Sequence, residues 1–350
     1  MAARNVPAEI WGKIFELSCT DGGQTGRSLA LVSTYIHAVS RPYQYLSVSI
    51  TGKNAIAQFA NLLAQDTECR RVKFLFMSTI DPSPELRASS SCPEHPAEIP
   101  SISDVDATVR DPNGHCKTLN DMYRVLEFVA PSLRILHVVM DFHRQEIFLP
   151  IQFPVLEELT MQGPFHDHVD CSDEFFDTLY PTLPSLRRLF LTDVFTCIDD
   201  RTYLALEHYA PYLTHLKMQS ADGYVESSRT FLRQLSRHNG DEKKNTESYV
   251  GHEWNGVKKT NKQPRFPETL QRVLFHMGPT QTAGFFGTMY LLRSIALREL
   301  EKVTKEDSRI VLFKDSTWKH PHSRVHSCVE GKGQWLQRIA GGRGHWEDRD

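Results

Sequence analysis

Two short stretches of the chain crowd metal-capable side chains together. His166-Asp167-His168-Val169-Asp170-Cys171 is one, and His320-Pro321-His322 with His326 and Cys328 is the other. A zinc site needs ligands that one knuckle or helical turn can present tetrahedrally, and neither stretch has a finger or HExxH spacing. With 16 histidines in the chain, such clusters arise without a metal. Asp170 or Ser172 better suits the cap of a following helix. No GxSxG elbow, Walker loop or dinucleotide GxGxxG occurs, so the usual scaffolds for a nucleophile or a phosphate cradle are missing. Gly341-Gly342-Arg343-Gly344 lacks a preceding strand and reads as tail. No catalytic residue, metal or cofactor is therefore assigned; a metal-dependent hydrolase around His166 is the weakest of three functional readings.

The elements that would position any site begin with the first fifty residues. Pro7 suits the first position of a helix, having a fixed φ and no N–H to leave unpaired. Ile10, Ile14 and Leu17 form one stripe, with Trp11 and Phe15 beside it. The run Asp21-Gly22-Gly23-Gln24-Thr25-Gly26 breaks that helix. A second helix follows, with Leu29, Val32, Ile36 and Val39 at helical spacing, and Pro42 ends it. Two such helices carry more apolar side chain than they can bury on each other, so the pair wants a partner.

The remainder is punctuated by a phrase, Pro-x-Leu-x-x-Leu-x-apolar. It starts at Pro131, Pro154, Pro184 and Pro211, and a slightly longer copy starts at Pro267, giving steps of 23, 30, 27 and 56 residues. The last step is about twice the others. Arg70-Arg71-Val72-Lys73-Phe74-Leu75-Phe76 is an earlier, less regular copy. Amphipathic segments around Leu119, Met122, Leu126 and Val129, at residues 173–180 and at residues 199–209 lie between the phrases. Each unit thus reads as helix, proline turn, short strand. One such unit cannot bury its own apolar face, so neighbours must stack into a solenoid with a curved parallel sheet and outer helices, an α/β fold. Residues 289–303 read as a further helix and 309–313 as a closing strand.

Alternation along each strand sets two faces. If Leu136 and Val138 point inward, Ile135 and His137 point outward. The same rule selects Glu158 and Thr160, Arg188 and Phe190, His215 and Lys217, and Arg272 and Leu274. From these, His137, Thr160, Arg188, Phe190, His215, Lys217 and Arg272 are the expected target-binding residues. Arg188, Lys217 and Arg272 make the later half cationic, which suits acidic or phosphorylated groups.

Composition narrows the class. A net charge of −3 argues against a general nucleic-acid binder. No stretch approaches the apolar length of a membrane span, and the N-terminus lacks a signal-type apolar core, so no membrane partner is expected. The seven cysteines form no CxxC pair and no regular framework, which fits reduced thiols in the cytosol or nucleus. Residues 81–117 and 239–265 lack apolar periodicity and read as insertions. Lys243-Lys244 and Lys258-Lys259 in the second fit either a solvated loop or a split nuclear-localisation signal.

Val6-Pro7-x-Glu9-Ile10-x-x-x-Ile14-Phe15-x-Leu17, then Ser28-Leu29-x-Leu31-Val32-Ser33-x-Tyr35, resembles the F-box, the helical motif by which substrate receptors dock onto a Skp-type adaptor. Val6 stands where leucine is usual, the Gly-rich stretch lengthens the turn, and Tyr35 stands where tryptophan is common. Ser40-Arg41-Pro42-Tyr43-x-Tyr45-x-x-Val48-x-Ile50, the repeated phrases and the tail Trp335-Leu336-x-Arg338-Ile339-x-Gly341-Gly342 follow in an order similar to that of the large fungal set of F-box proteins with leucine-rich repeats. The resemblance implies a non-enzymatic subunit of a cullin ubiquitin ligase, with an F-box-like module at residues 1–50, a leucine-rich-repeat-like solenoid at 51–315 and a tail at 316–350. It implies that Pro7, Ile10, Ile14, Phe15, Leu29 and Val32 form an adaptor-binding surface or the hairpin core directly beneath it, with a cullin reached through the adaptor and a target protein on the repeats. A repeat scaffold attached to no ligase is the alternative.

Overall fold

The computed structural model describes residues 6–80, 112–141, 151–165, 182–194, 206, 208–220, 267–276, 287–313 and 324–346. They form two compact units, the first drawn from residues 1–142, 151–163 and 322–350, the second from 143–150 and 164–321. The first unit thus draws on the expected 1–50 module, on part of the expected 51–315 solenoid and on the expected 316–350 tail.

The first unit opens with three helices rather than two: α1 (Ala8–Ser18), α2 (Gln24–Leu29) and α3 (Thr34–Ser40). The Gly-rich break is shorter than its composition suggests. Asp21 accepts from the Gly23 and Thr25 amides, at 3.2 and 2.8 Å, and starts α2 inside it. Ser33 then starts α3 by accepting from the Ile36 amide, so the stretch from Leu29 to Val39 is two helices with a corner at residues 30–33. Pro7 is the cap residue and not the first helical one; its carbonyl accepts from Ile10 and Trp11. Phe15, Cys19, Ile36 and Leu46 make the buried centre of this module, with Trp11 stacked on Phe15. Gly26 is obligatory here, since a Cβ would lie 2.4 Å from the Gln44 carbonyl oxygen.

Four parallel strands follow in sequence order: β1 (Ser47–Thr51), β2 (Phe74–Ser78), β3 (Ile135–Val139) and β4 (Glu158–Phe165). Between them run α4 (Lys53–Gln65) and α5 (Pro112–Val129), which pack on each other. α5 begins within the expected 81–117 insertion, the rest of which, like 239–265, lies outside the described residues. The second unit repeats the pattern with β5 (Arg188–Val194), β6 (His215–Ser220), β7 (Arg272–His276) and β8 (Ile310–Phe313), again parallel and in sequence order, and with α6 (Gly287–Glu306) leading into β8. Last, α7 (Arg324–Ile339) returns to the first unit.

The phrases coincide with the strands in register. Leu75, Leu136 and Leu159 are direct neighbours, as are Leu189, Leu216, Val273 and Ile310, and all are buried. The preceding apolar positions, Val72, Leu133, Leu156, Leu186, Leu213 and Leu270, are buried as well. Complete burial contributes roughly 1.5–3 kcal/mol per side chain, so each copy is held mainly by this pair of rows. The hydroxyl just before the first leucine has a job of its own. Ser132 reaches back to the Arg70 and Val72 carbonyls, both at 3.0 Å, and Thr269 makes the equivalent reach to Pro211 and Leu213, at 3.1 and 2.8 Å. At Ser132 and Thr269 this position ties a proline turn to the turn of the preceding copy. The expected earlier copy around Val72 and Leu75 is therefore a true member of the series.

Candidate functional site: the apolar face of the N-terminal helices

α1 is amphipathic in an unusual sense, being apolar on two sides. Trp11 and Phe15 face the module core, and Phe15 is 1% exposed. Ile10, Ile14 and Leu17 face away from it, at 46%, 45% and 80% exposure. The corner between α2 and α3 adds Leu31 and Val32, both largely exposed. Soluble surfaces carry single exposed leucines without meaning, but five large apolar side chains on one short helical module are a docking signal. Pro7 is exposed at the head of α1, and the Tyr35 hydroxyl donates to the Val6 carbonyl at 3.3 Å, so the segment entering α1 is tied down.

Of the six residues expected at or beneath an adaptor-binding surface, Pro7, Ile10, Ile14 and Val32 are exposed. Phe15 belongs to the core beneath that surface, the second place expected for this set, and Leu29 is half-buried against the core. Period counting alone could not separate these roles, since Ile14 and Phe15 are adjacent and both sides of α1 are apolar. Leu17 and Leu31, missing from the expected set, are more exposed than Ile10, Ile14 or Val32; their signal was present in the stripe and in the quoted motif. α1 is also anchored electrostatically. Lys73 at the foot of β2 lies 2.5 Å from Glu16, and its hydrogen bond and charge hold the Glu16 carboxyl below the usual range.

The expected target face behaves differently in the two units. In the first it is closed by the chain itself. α7 lies on β2 and β3, with Trp335, Cys328 and Ile339 packed on Phe76 and Val139. His137, at 2% exposure, lies beneath it between the Phe76 and His345 rings, and burial pushes its imidazole down to about 3, with Gln162 opposing. Thr160 and Glu158 are buried too, and Glu158 pairs with Arg338 of α7, whose Nε lies 2.8 Å from Oε2. The expectation that His137 and Thr160 line an open surface is thus corrected. The expected 316–350 tail contains the covering helix: its apolar period at Cys328, Trp335 and Ile339 was readable, but glycines at 331 and 333 obscured it.

In the second unit, Arg188, His215 and Arg272 are register neighbours, and Phe190, Lys217 and Leu274 form the next equivalent row. Arg188, His215, Lys217 and Arg272 are half-buried, whereas Phe190 is buried, with the Lys217 ammonium 4.7 Å above its ring. His276 stacks on Phe313, and its imidazole is pushed down to about 3, mainly by burial and further by Lys217. The basic residues chosen from strand alternation do lie together.

The stretch around His166 and the pair His320 and His322 lie outside the described residues. Cys328 is buried, donates to the Ser78 hydroxyl at 3.2 Å, and its thiol is pushed up by burial. Among the described residues no three His, Cys, Asp or Glu side chains are grouped to hold a metal ion, and no helix is long and apolar enough to cross a membrane. No protein-family model, no curated protein and no solved structure matches the chain.

Proposed function

We propose that the protein is a substrate-recruiting subunit of an SCF-type cullin ubiquitin ligase, with an F-box-like module that docks a Skp-type adaptor and leucine-rich-repeat-like units that carry a target protein. One observation carries this reading: Ile10, Ile14 and Leu17 stand exposed on α1, and Leu31 and Val32 at the α2–α3 corner, while Phe15, Ile36 and the half-buried Trp11 and Leu29 pack the core of the same module. The centre of a stable protein interface is apolar, as these five side chains are, and exposed Lys13 stands beside Ile10, Ile14 and Leu17 on α1. The register-matched rows of leucine and the recurrent Ser132 and Thr269 bridges support a repeat architecture. Arg188, His215, Lys217 and Arg272 are the proposed target-contacting row, suited to acidic or phosphorylated side chains. In this account the protein performs no chemistry itself, and the adaptor supplies the link to the cullin. Co-expression with a Skp-type adaptor tests it. A stoichiometric complex on size exclusion is expected, and a protein that elutes apart from the adaptor while still capturing a target would instead mark a scaffold attached to no ligase.

A further inference from the structure

A groove of about 420 Å3 runs along β1, between that strand and α4. β1 is the outermost strand of its unit. Its pairing with β2 fixes which backbone groups face outward: the Leu46 carbonyl accepts from the Phe74 amide and the Gly52 amide donates to Ser78, so residues 46, 48, 50 and 52 direct their polar groups to β2. In a parallel strand the intervening residues direct theirs the other way. Ser47 is partly shielded by Gly23, which lies against its carbonyl oxygen. The outward N–H and C=O groups of Ser49 and Thr51 meet no described backbone partner.

Natural sheets cover or blunt such an edge, because unpaired strand groups recruit another strand. Here the edge is walled instead. One side of α4, presenting Ala55, Phe59 and Leu62, flanks it with apolar surface, and Gln58 stands at the rim. Two further polar atoms beside the groove, Gln44 Nε2 and Ser49 Oγ, are buried without a hydrogen-bond partner. Arg27 is the one charged residue lining the groove among the described residues, and its Nε donates to the Gly23 carbonyl at 3.1 Å.

We infer that this groove binds an extended peptide segment of a partner protein by strand addition to β1, with alternate apolar side chains against Phe59 and Leu62 and an acidic side chain toward Arg27. Main-chain pairing supplies affinity in this mode, and pockets for alternate side chains supply selectivity. β1 spans five residues, so the bound segment is about as long. The site stands apart from the exposed faces of α1 and the α2–α3 corner, and it does not depend on the adaptor reading.

A random linear octapeptide library displayed on phage tests the inference. Selection on the full chain should enrich peptides that alternate apolar with polar residues and carry an acid. The variant Thr51→Pro removes one outward N–H, which a proline on an edge strand tolerates, so it should keep its thermal transition and lose the enriched peptides. Arg27→Ala should weaken the synthetic acidic peptide about tenfold, and replacing its glutamate by glutamine should weaken it to a similar degree. Enriched peptides that bind folded Thr51→Pro as well as the parent overturn the inference, and so does a selection that enriches nothing over that variant.

Discussion

Gly331 of α7 lies so close over His137 of β3 that a Cβ at position 331 would sit 2.9 Å from Nε2 of the imidazole. That contact explains how a polar strand residue comes to be buried: a glycine lets the helix backbone descend onto it. Two residues further along, Gly333 has no atom within 4 Å of its hypothetical Cβ. Gly331→Val should therefore destabilise the protein by about 2 kcal/mol or more, as overpacking does, whereas Gly333→Ala should stabilise it by about 0.5–1 kcal/mol through helix propensity. Urea titration of both variants checks the pair. Equal effects would contradict the close seating of α7.

Acid should loosen both units. The folded pKa values of His137 and His276, each about 3, lie below the ordinary value of 6.5, so the unfolded chain binds protons that the folded chain refuses. Stability is therefore intact above pH 6.5 and falls as pH drops toward 3, by about 1.4 kcal/mol per pH unit for each histidine once titration is under way. His137→Leu, measured by urea unfolding at several pH values between 7 and 4, should flatten that slope by one proton. An unchanged slope would mean that His137 is open to solvent.

The pair between Arg338 and Glu158 joins α7 to the start of β4 in a largely buried place, with Glu158 6% exposed. Glu158→Ala should cost about 2–3 kcal/mol, discounted from a fully buried pair because the Arg338 side chain keeps some exposure. The double variant Glu158→Ala with Arg338→Ala should cost less than the two single costs added together. Strict additivity in a double-mutant cycle would show that the two side chains do not act on each other.

The hydroxyl bridges predict a matched pair of losses. Ser132→Ala and Thr269→Val each remove a link from a proline turn back to the turn of the preceding copy, and each should cost about 1 kcal/mol. Guanidinium unfolding should place both variants below the parent by similar amounts. A loss at one position alone would break the equivalence of the two turns.

How much of this was legible in the sequence depends on how local the cause is. The strands at residues 135, 158, 188, 215 and 272 follow from the leucine phrase, because both their burial and their register rest on positions within eight residues. The inward row was legible for the same reason. The third helix was not, because Asp21, bonded to the Gly23 and Thr25 amides, and the cap Ser33 start helices within a stretch that looks like turn on one side and continuous helix on the other. The closure of the first sheet face was further out of reach. It depends on α7 meeting a strand nearly two hundred residues earlier through Gly331, and glycines in a helical run, here Gly331 and Gly333, signal only weakness in the helix. Within the candidate site, the stripe of Ile10, Ile14 and Leu17 was legible from helical spacing, while the inward turn of Phe15 required the packing partners Ile36 and Leu46.

Binding of a purified Skp-type adaptor to the full chain, compared with the variant carrying both Ile10→Asp and Ile14→Asp, tests the central claim most directly. Both side chains are exposed and contribute little to the core, so the variant should retain its circular dichroism and thermal transition. The account predicts that the parent captures the adaptor and that the variant loses at least a hundredfold in affinity, since two apolar contacts at an interface centre become two buried charges. A folded variant that binds the adaptor as tightly as the parent, or a parent that does not bind it, would contradict the claim.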